Sequence, residues 1–347
     1  MDLNESRRQL ETYNQAGQRL NTWISGALSL SFLRAAINSG VLAILDQPHT
    51  IQDIASHLHL EEPRVLELCQ ALYVLNIVDC HDNTYSLSSD FTCLLAPDVP
   101  LALSDTLGVF EVFIREMEHI FSPQRSYAQL PIEDTLKVAK GKIGNPVSTL
   151  ARYAFQQLCA QMPEVMAIWN THAKHLELGC GVGRDLLCIA ALYTKAYVTG
   201  VDINADALFH AQRDAEHLGI SKRVKLIYAD VLDLEYHEEF HTVSWSQIFF
   251  PIDFRQSTLA VSYRSLKPGG YLLVPLQYDL SSAKEQLRAS DKGLPLLLQL
   301  IYKYWGLNPR DTHGIRTEAE QAGFEFVRLV SVPYYFVMLL RKALTTL

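Results

Sequence analysis

The stretch Glu177-Leu-Gly-Cys-Gly-Val-Gly183 places three glycines within five positions, directly behind a short, largely apolar run from Lys174 to Leu178. Glycines so spaced let the backbone turn tightly from strand to helix and let a ligand approach without meeting a Cβ. The free N–H groups at the start of the following helix then point into the gap. A second apolar run, Ala196 to Val201, ends on Asp202. A carboxylate there can accept both hydroxyls of a ribose, or cap the helix that follows, where Asn204 also stands. Tyr228-Ala229-Asp230-Val231 closes a third run, with Asp233 as a further acid. A dinucleotide fingerprint needs its last glycine where Arg184 stands, and the third glycine comes one place early at Gly183. The acidic Glu177 is a poor neighbour for a pyrophosphate and a good one for a ligand with a positive centre and an amino group.

Alternating strands and helices must position these residues. Strands are predicted at 174–178, 196–201, 224–228, 243–248, 271–274, 325–330 and 334–340, with helices at 184–193, 205–218, 256–266 and 314–322. That alternation is an α/β, Rossmann-like, doubly wound seven-stranded sheet with its last two strands closely spaced, and the crevice lies at the carboxyl edge of its parallel part. The N-terminal part reads differently. Residues 3–24 carry an apolar stripe of Leu10, Tyr13, Leu20 and Trp23 that needs a partner, and the helical pattern continues to Leu45 with a break near Ser39-Gly40. A helix capped by Thr50, another opened by Pro63, and a hairpin with Asp82-Asn83 at its turn complete a winged-helix pattern. Residues 101–169 are helical, with Phe110, Phe113, Ile114 and Met117 at helical spacing and a polar patch around Gly141 and Gly144-Asn145-Pro146.

The 347 residues suffice for two domains with proper cores. A net charge of −8 and a pI near 5.8 oppose binding to a phosphate backbone. The helix of the winged pattern that would enter a DNA groove carries Glu61, Glu62, Arg64, Glu67 and Gln70, which is net acidic, so nucleic acid is not the expected partner. The six cysteines show no Cys-x-x-Cys spacing and read as reduced thiols. Met1 to Leu20 is polar and charged, and no run approaches the ~18 apolar residues of a membrane span. The expectation is a cytoplasmic protein without a membrane segment.

The glycine turn with Glu177, followed by Val201-Asp202, resembles motifs I and II of class I S-adenosylmethionine-dependent methyltransferases. With the winged-helix pattern first, nearly the whole chain resembles the plant-type and bacterial small-molecule O-methyltransferases. The resemblance implies a dimerisation domain over 1–100, a helical linker and substrate-pocket roof over 101–170, and an S-adenosyl-L-methionine-binding domain over 171–347. It implies a homodimer through the N-terminal domain and a small, apolar or aromatic metabolite as acceptor, in bacterial-type secondary metabolism. It assigns cofactor contacts to Glu177, Gly179, Gly181, Gly183, Asp202, Ile203, Asp230, Val231, Ser246 and Gln247, with Asp230 facing the adenine amino group. It assigns the acceptor pocket to Phe113, Met117, Phe250, Tyr302 and Trp305.

One position departs from the pattern. Where those enzymes carry a His as general base before an Asp and an aromatic residue, this chain has Ile252-Asp253-Phe254. An alkyl side chain cannot abstract a proton. Asp253 and His313 are the substitute candidates, with His119 on the roof helix. The bacterial C-methyltransferases of α-keto acids share the layout, and some hold iron through a His in this segment. With Ile252 there, and no His between Leu273 and Thr312, no metal is expected. O-, N- and C-acceptors stay open, as do a non-methylating cyclase or isomerase using the same cofactor and a winged-helix regulator.

Overall fold

The computed structural model describes residues 3–276, 293–332 and 335–344. It divides into two compact units, Met1–Pro97 and Asp98–Leu347. Tyr334, in the last expected strand, and residues 277–292 lie outside the described residues.

The first unit begins with α1 (Leu3–Asn38), which ends before Gly40 at φ 79°, followed by α2 (Val41–Ile44). The short strand β1 (His49–Thr50) leads into α3 (Ile51–Leu58), where the Thr50 hydroxyl accepts from the Asp53 amide and the Asp53 carboxylate from the Thr50 amide, a capping box. Helix α4 (Glu62–Val74) carries Pro63 in its first turn. Strands β2 (Val78–His81) and β3 (Thr84–Leu87) form the hairpin, with Asp82 and Asn83 both at positive φ as a two-residue primed turn requires, and α5 (Ser89–Leu95) follows. The sheet order is β1-β3-β2, and the core includes Leu42, Leu45, Ile54, Val65, Leu72 and Ile77. In α1 only Ala36 is buried, while Leu10, Tyr13, Leu20 and Trp23 are exposed.

The second unit opens with α6 (Leu103–Met117), α7 (Ile132–Ile143), α8 (Thr149–Cys159) and α9 (Pro163–Trp169). Then come β4 (Lys174–Leu178), α10 (Arg184–Leu192), β5 (Tyr197–Asp202), α11 (Ala205–His217), β6 (Val224–Tyr228), β7 (Phe240–Trp245), α12 (Arg255–Ser265) and β8 (Leu266–Leu276). Helices α13 (Gly293–Tyr304) and α14 (Thr312–Gln321) precede β9 (Phe324–Val332) and β10 (Tyr335–Lys342). The seven strands run β6-β5-β4-β7-β8-β10-β9; β4 to β8 are parallel, and β10 is antiparallel to β8 and β9. Chain direction along the sheet reverses at β4, which puts the crevice beside Leu178 and Asp202. Apolar side chains cover both faces, with Leu186, Ile189 and Trp169 on one and Leu176, Trp245 and Leu272 on the other. No helix among the described residues is long and apolar enough to cross a membrane.

One glycine-containing segment differs from expectation, and another lets two helices touch. Lys267-Pro268-Gly269-Gly270 lies inside β8 rather than ahead of it, with Gly269 at φ 75° and a register shift in the neighbouring β7. Gly141 lies inside α7, where its missing side chain lets α6 and α7 touch. A Cβ at 141 would stand 2.6 Å from both the Asp105 carbonyl oxygen and Val109. Gly141→Ala is therefore expected to lose about 1–3 kcal/mol through overpacking, despite alanine's better helix propensity. Gly17→Ala, in α1 with nothing within 4 Å of the added carbon, is expected not to destabilise. Urea titrations of the two variants compare them directly.

A polar group is buried at the start of β4. Trp169 Nε1 donates to Thr242 Oγ1 at 2.9 Å, that hydroxyl meets His175 Nδ1 at 2.9 Å, and Ser244 Oγ meets His175 Nε2 at 3.2 Å. Every polar atom of the imidazole has a neutral partner. Burial pushes its pKa down to about 3.

Candidate active site

The turn after β4 is held to β5 by the amides of Gly179 and Cys180, which both donate to the Val201 carbonyl, at 2.8 and 3.0 Å. Gly179 sits at φ 69°, and a Cβ on it would come within 2.7 Å of the Phe250 ring. The glycine thus answers two constraints at once, a left-handed backbone and an aromatic ring lying against the turn. The Gly181 amide donates to Asp202 Oδ2 at 2.7 Å, and the Asn204 amide to Oδ1 at 2.8 Å. Of the two roles open for Asp202, the helix cap falls to Asn204, whose Oδ1 accepts from the Ala207 amide. Asp202 keeps a lone pair on each oxygen at the end of β5. Burial raises its pKa, against the pull of the Asn204, Gly181 and Ile203 amides.

Glu177 and Asp185 add negative charge. Oε2 of Glu177 is buried without a hydrogen-bond partner, and burial, then the charge of Asp185, push the Glu177 pKa well above the ordinary carboxylate range, against the Arg184 guanidinium. An unpaired buried carboxylate oxygen is costly unless a donor or cation completes it. This is the observation that fits a ligand carrying an ammonium and a sulfonium, and it disfavours a phosphate.

Ile203 is 64% exposed beside Asp202. Asp230 is exposed; its Oδ1 accepts from the Leu232 amide and caps the turn at Val231–Asp233, leaving Oδ2 open, whereas Val231 is packed into the core. Ser246 is half-buried behind β7. Gln247 is fully buried and turned elsewhere: its Oε1 accepts from the Arg310 amide at 3.0 Å and its Nε2 donates to the Arg310 carbonyl at 3.1 Å.

Of the residues expected to line an acceptor pocket, Phe113, Tyr302 and Trp305 are buried against one another, with ring centroids 5.8 to 6.3 Å apart, and Met117 packs at the edge of this cluster. Phe250 lies on Gly179 and edge-on to Trp245. The aromatic cluster is a close packing of α13 on α6. Ile252 is 42% exposed, Asp253 is exposed, and His313 is exposed in the first turn of α14. Among the described residues neither the Asp253 carboxylate nor the His313 imidazole is oriented by a hydrogen bond, and no three His, Cys, Asp or Glu side chains are placed to hold a metal ion.

Four residues escaped the sequence reading. Glu116, 1% exposed, accepts from Trp305 Nε1 at 3.1 Å and Arg125 Nη1 at 3.2 Å and fastens α13 to α6. It stands at i+7 from Val109 and i+3 from Phe113 on the buried stripe of α6, and a charge on that stripe was the available signal. Tyr127 opens the short turn Tyr127–Gln129, and the amides at 125 and 127 donate to the carbonyls of Tyr304 and Trp305. Its ring lies 5.5 Å from Trp305 and 5.9 Å from Phe249, and burial, with the charge of Asp202, raises its pKa. Thr135 on α7 accepts from Asn204 Nδ2 at 3.0 Å. Arg255 is taken up below.

Residues 170–305 match a family model described as a methyltransferase domain. An rRNA N(6)-adenosine-methyltransferase of Caenorhabditis elegans is 33% identical over 93 residues, covering 26% of this chain and 44% of that one. The chain spans under half the length of the first curated relatives it matches. Solved structures align over the whole chain at low identity. An O-methyltransferase family protein from Burkholderia thailandensis gives a TM-score of 0.67 at 13% identity, covering 100% of this chain and 99% of that one. Human N-acetylserotonin methyltransferase, solved with S-adenosylmethionine, gives 0.68 at 16%, covering 95% and 98%. Residues 170–305 are therefore similar to methyltransferase domains, on a fold that the chain shares with O-methyltransferases.

Proposed function

We propose that the protein transfers the methyl group of S-adenosylmethionine to a small, apolar or aromatic metabolite in a biosynthetic pathway of secondary metabolism. The observation that carries this is the crevice itself: a glycine turn flanked by a buried, unpartnered Glu177 oxygen and the two half-used oxygens of Asp202. Bound there, the cofactor supplies a methyl group on an activated sulfonium leaving group. Glu177 would hold its cationic end, Asp202 the ribose hydroxyls, Asp230 Oδ2 the adenine amino group, and Ile203 an apolar face beside them. The remaining work of the chain is alignment and exclusion of water. Tyr127, Phe249 and the Phe113–Tyr302–Trp305 packing supply an apolar roof.

The acceptor's proton is the open variable. Ile252 offers no titratable group, and Asp253 and His313 are exposed. This favours an acceptor that is nucleophilic without a dedicated histidine, an amine or an already acidic hydroxyl or carbon. The same Ile252 supports a second reading, a reaction that uses the bound cofactor without consuming it. Incubation with S-adenosylmethionine and a panel of phenols, amines and α-keto acids, followed by mass spectrometry, separates the two. S-adenosylhomocysteine with a product heavier by one methyl supports transfer, and converted product with intact cofactor supports the second reading.

The N-terminal unit is read as a winged-helix dimerisation module. The row Leu10, Tyr13, Leu20 and Trp23 along α1 supports it, since a helix this long with one buried residue leaves an apolar stripe to cover. Six free cysteines suit a reducing, cytoplasmic compartment.

A further inference from the structure

The post-β7 segment and the return from α13 are joined by a buried polar latch. Gln247 spends its amide on both backbone groups of Arg310, 63 residues away. Arg255, 2% exposed at the start of α12, donates from Nη2 to the Asn308 carbonyl at 2.7 Å. Arg255 and Arg310 also share Glu318 of α14, at 3.5 and 2.6 Å. The 308–310 stretch belongs to no helix or strand, so these side chains stand where a ladder would otherwise satisfy its backbone. An apolar contact would hold the two segments together; two amide hydrogen bonds also fix their register.

The latched segment is the one that touches the site. Gln247 opens the short turn Gln247–Phe249. Phe249 reaches Tyr127 and Tyr302, at 5.9 and 6.1 Å between ring centroids. Phe250 lies on Gly179, so closely that a Cβ there would stand 2.7 Å from its ring. A shift of this turn by a fraction of an ångström moves the ring that abuts the glycine turn.

We infer that Gln247 is a positioning residue for the cofactor: without touching it, its amide locks the post-β7 turn to Arg310 and so places Phe250 against Gly179 and Phe249 under Tyr127. This rests on the S-adenosylmethionine reading of the crevice. Gln247→Met keeps the volume and removes both hydrogen bonds, and Gln247→Glu keeps the acceptor and loses the donor to the Arg310 carbonyl.

Calorimetric titration with S-adenosylmethionine, at a temperature where circular dichroism shows the variants folded, is expected to give about a tenfold weaker Kd for Gln247→Met and an intermediate value for Gln247→Glu. A purely structural glutamine would lower the melting temperature and leave the Kd of the folded protein unchanged, so values within twofold of wild type overturn the inference. The unmodified protein gives an independent arm. Coupling is reciprocal, so saturating cofactor must slow hydrogen exchange at the Arg310 amide. Unchanged exchange there overturns the inference while leaving cofactor binding intact. Absence of any binding by the wild-type chain overturns the function together with it.

Discussion

Asp202→Ala is expected to weaken S-adenosylmethionine binding by roughly three orders of magnitude in calorimetry. The carboxylate would accept two ribose hydroxyls, and hydrogen bonds to a charged group are each worth about 1.5–3 kcal/mol. The substitution does more than remove ligand contacts, because the same oxygens hold the Gly181 and Asn204 amides that shape the turn. Asp202→Asn retains one carbonyl acceptor and is expected to fall between the two. The α11 cap is Asn204, so helix stability should change little, and a melting temperature near wild type would separate lost binding from lost fold. Affinity within threefold of wild type for Asp202→Ala would remove Asp202 from the cofactor site.

The second large effect concerns stability against pH. His175 is fully buried with neutral partners and a pKa of about 3, against an ordinary value near 6.5 in the unfolded chain. Between those values the unfolded state binds a proton that the native state refuses, so stability must rise with pH. Its contribution is intact above about pH 6.5 and is lost progressively on acidification toward pH 3, by ~1.4 kcal/mol per unit and about 4–5 kcal/mol in all. Urea unfolding of the wild type at pH 7, 6, 5 and 4 should show this loss. A His175→Gln variant should be less stable at neutral pH and show a flatter dependence below it. Equal slopes for the two proteins would mean that the imidazole is protonated in the native state.

The glycine turn and the carboxylates at the strand ends were legible because their signals are local. Three glycines behind an apolar run, with an acid at each strand end, can be read without knowing what lies opposite, and the strand alternation orders β4 to β7 unaided. The aromatic packing and the links to the turn after β7 are built from contacts of long sequence separation. Glu116 meets Trp305, Asn204 meets Thr135, and Gln247 meets Arg310, and none of these pairs has a spacing rule. Gln247 shows the consequence: beside Ser246 at the end of β7 it reads as a cofactor contact, while its amide is spent on the backbone of a segment 63 residues away. Gly141 shows another, since nothing in a polar patch marks the glycine that a second helix packs against. Asp202 and Asn204 are a milder instance, where two candidates for one cap could be told apart only once the amides were placed.

The most direct measurement is a calorimetric titration of the purified chain with S-adenosyl-L-methionine. The structure predicts saturable binding at one site per chain, displaced by S-adenosylhomocysteine. No saturable heat at millimolar ligand would contradict it.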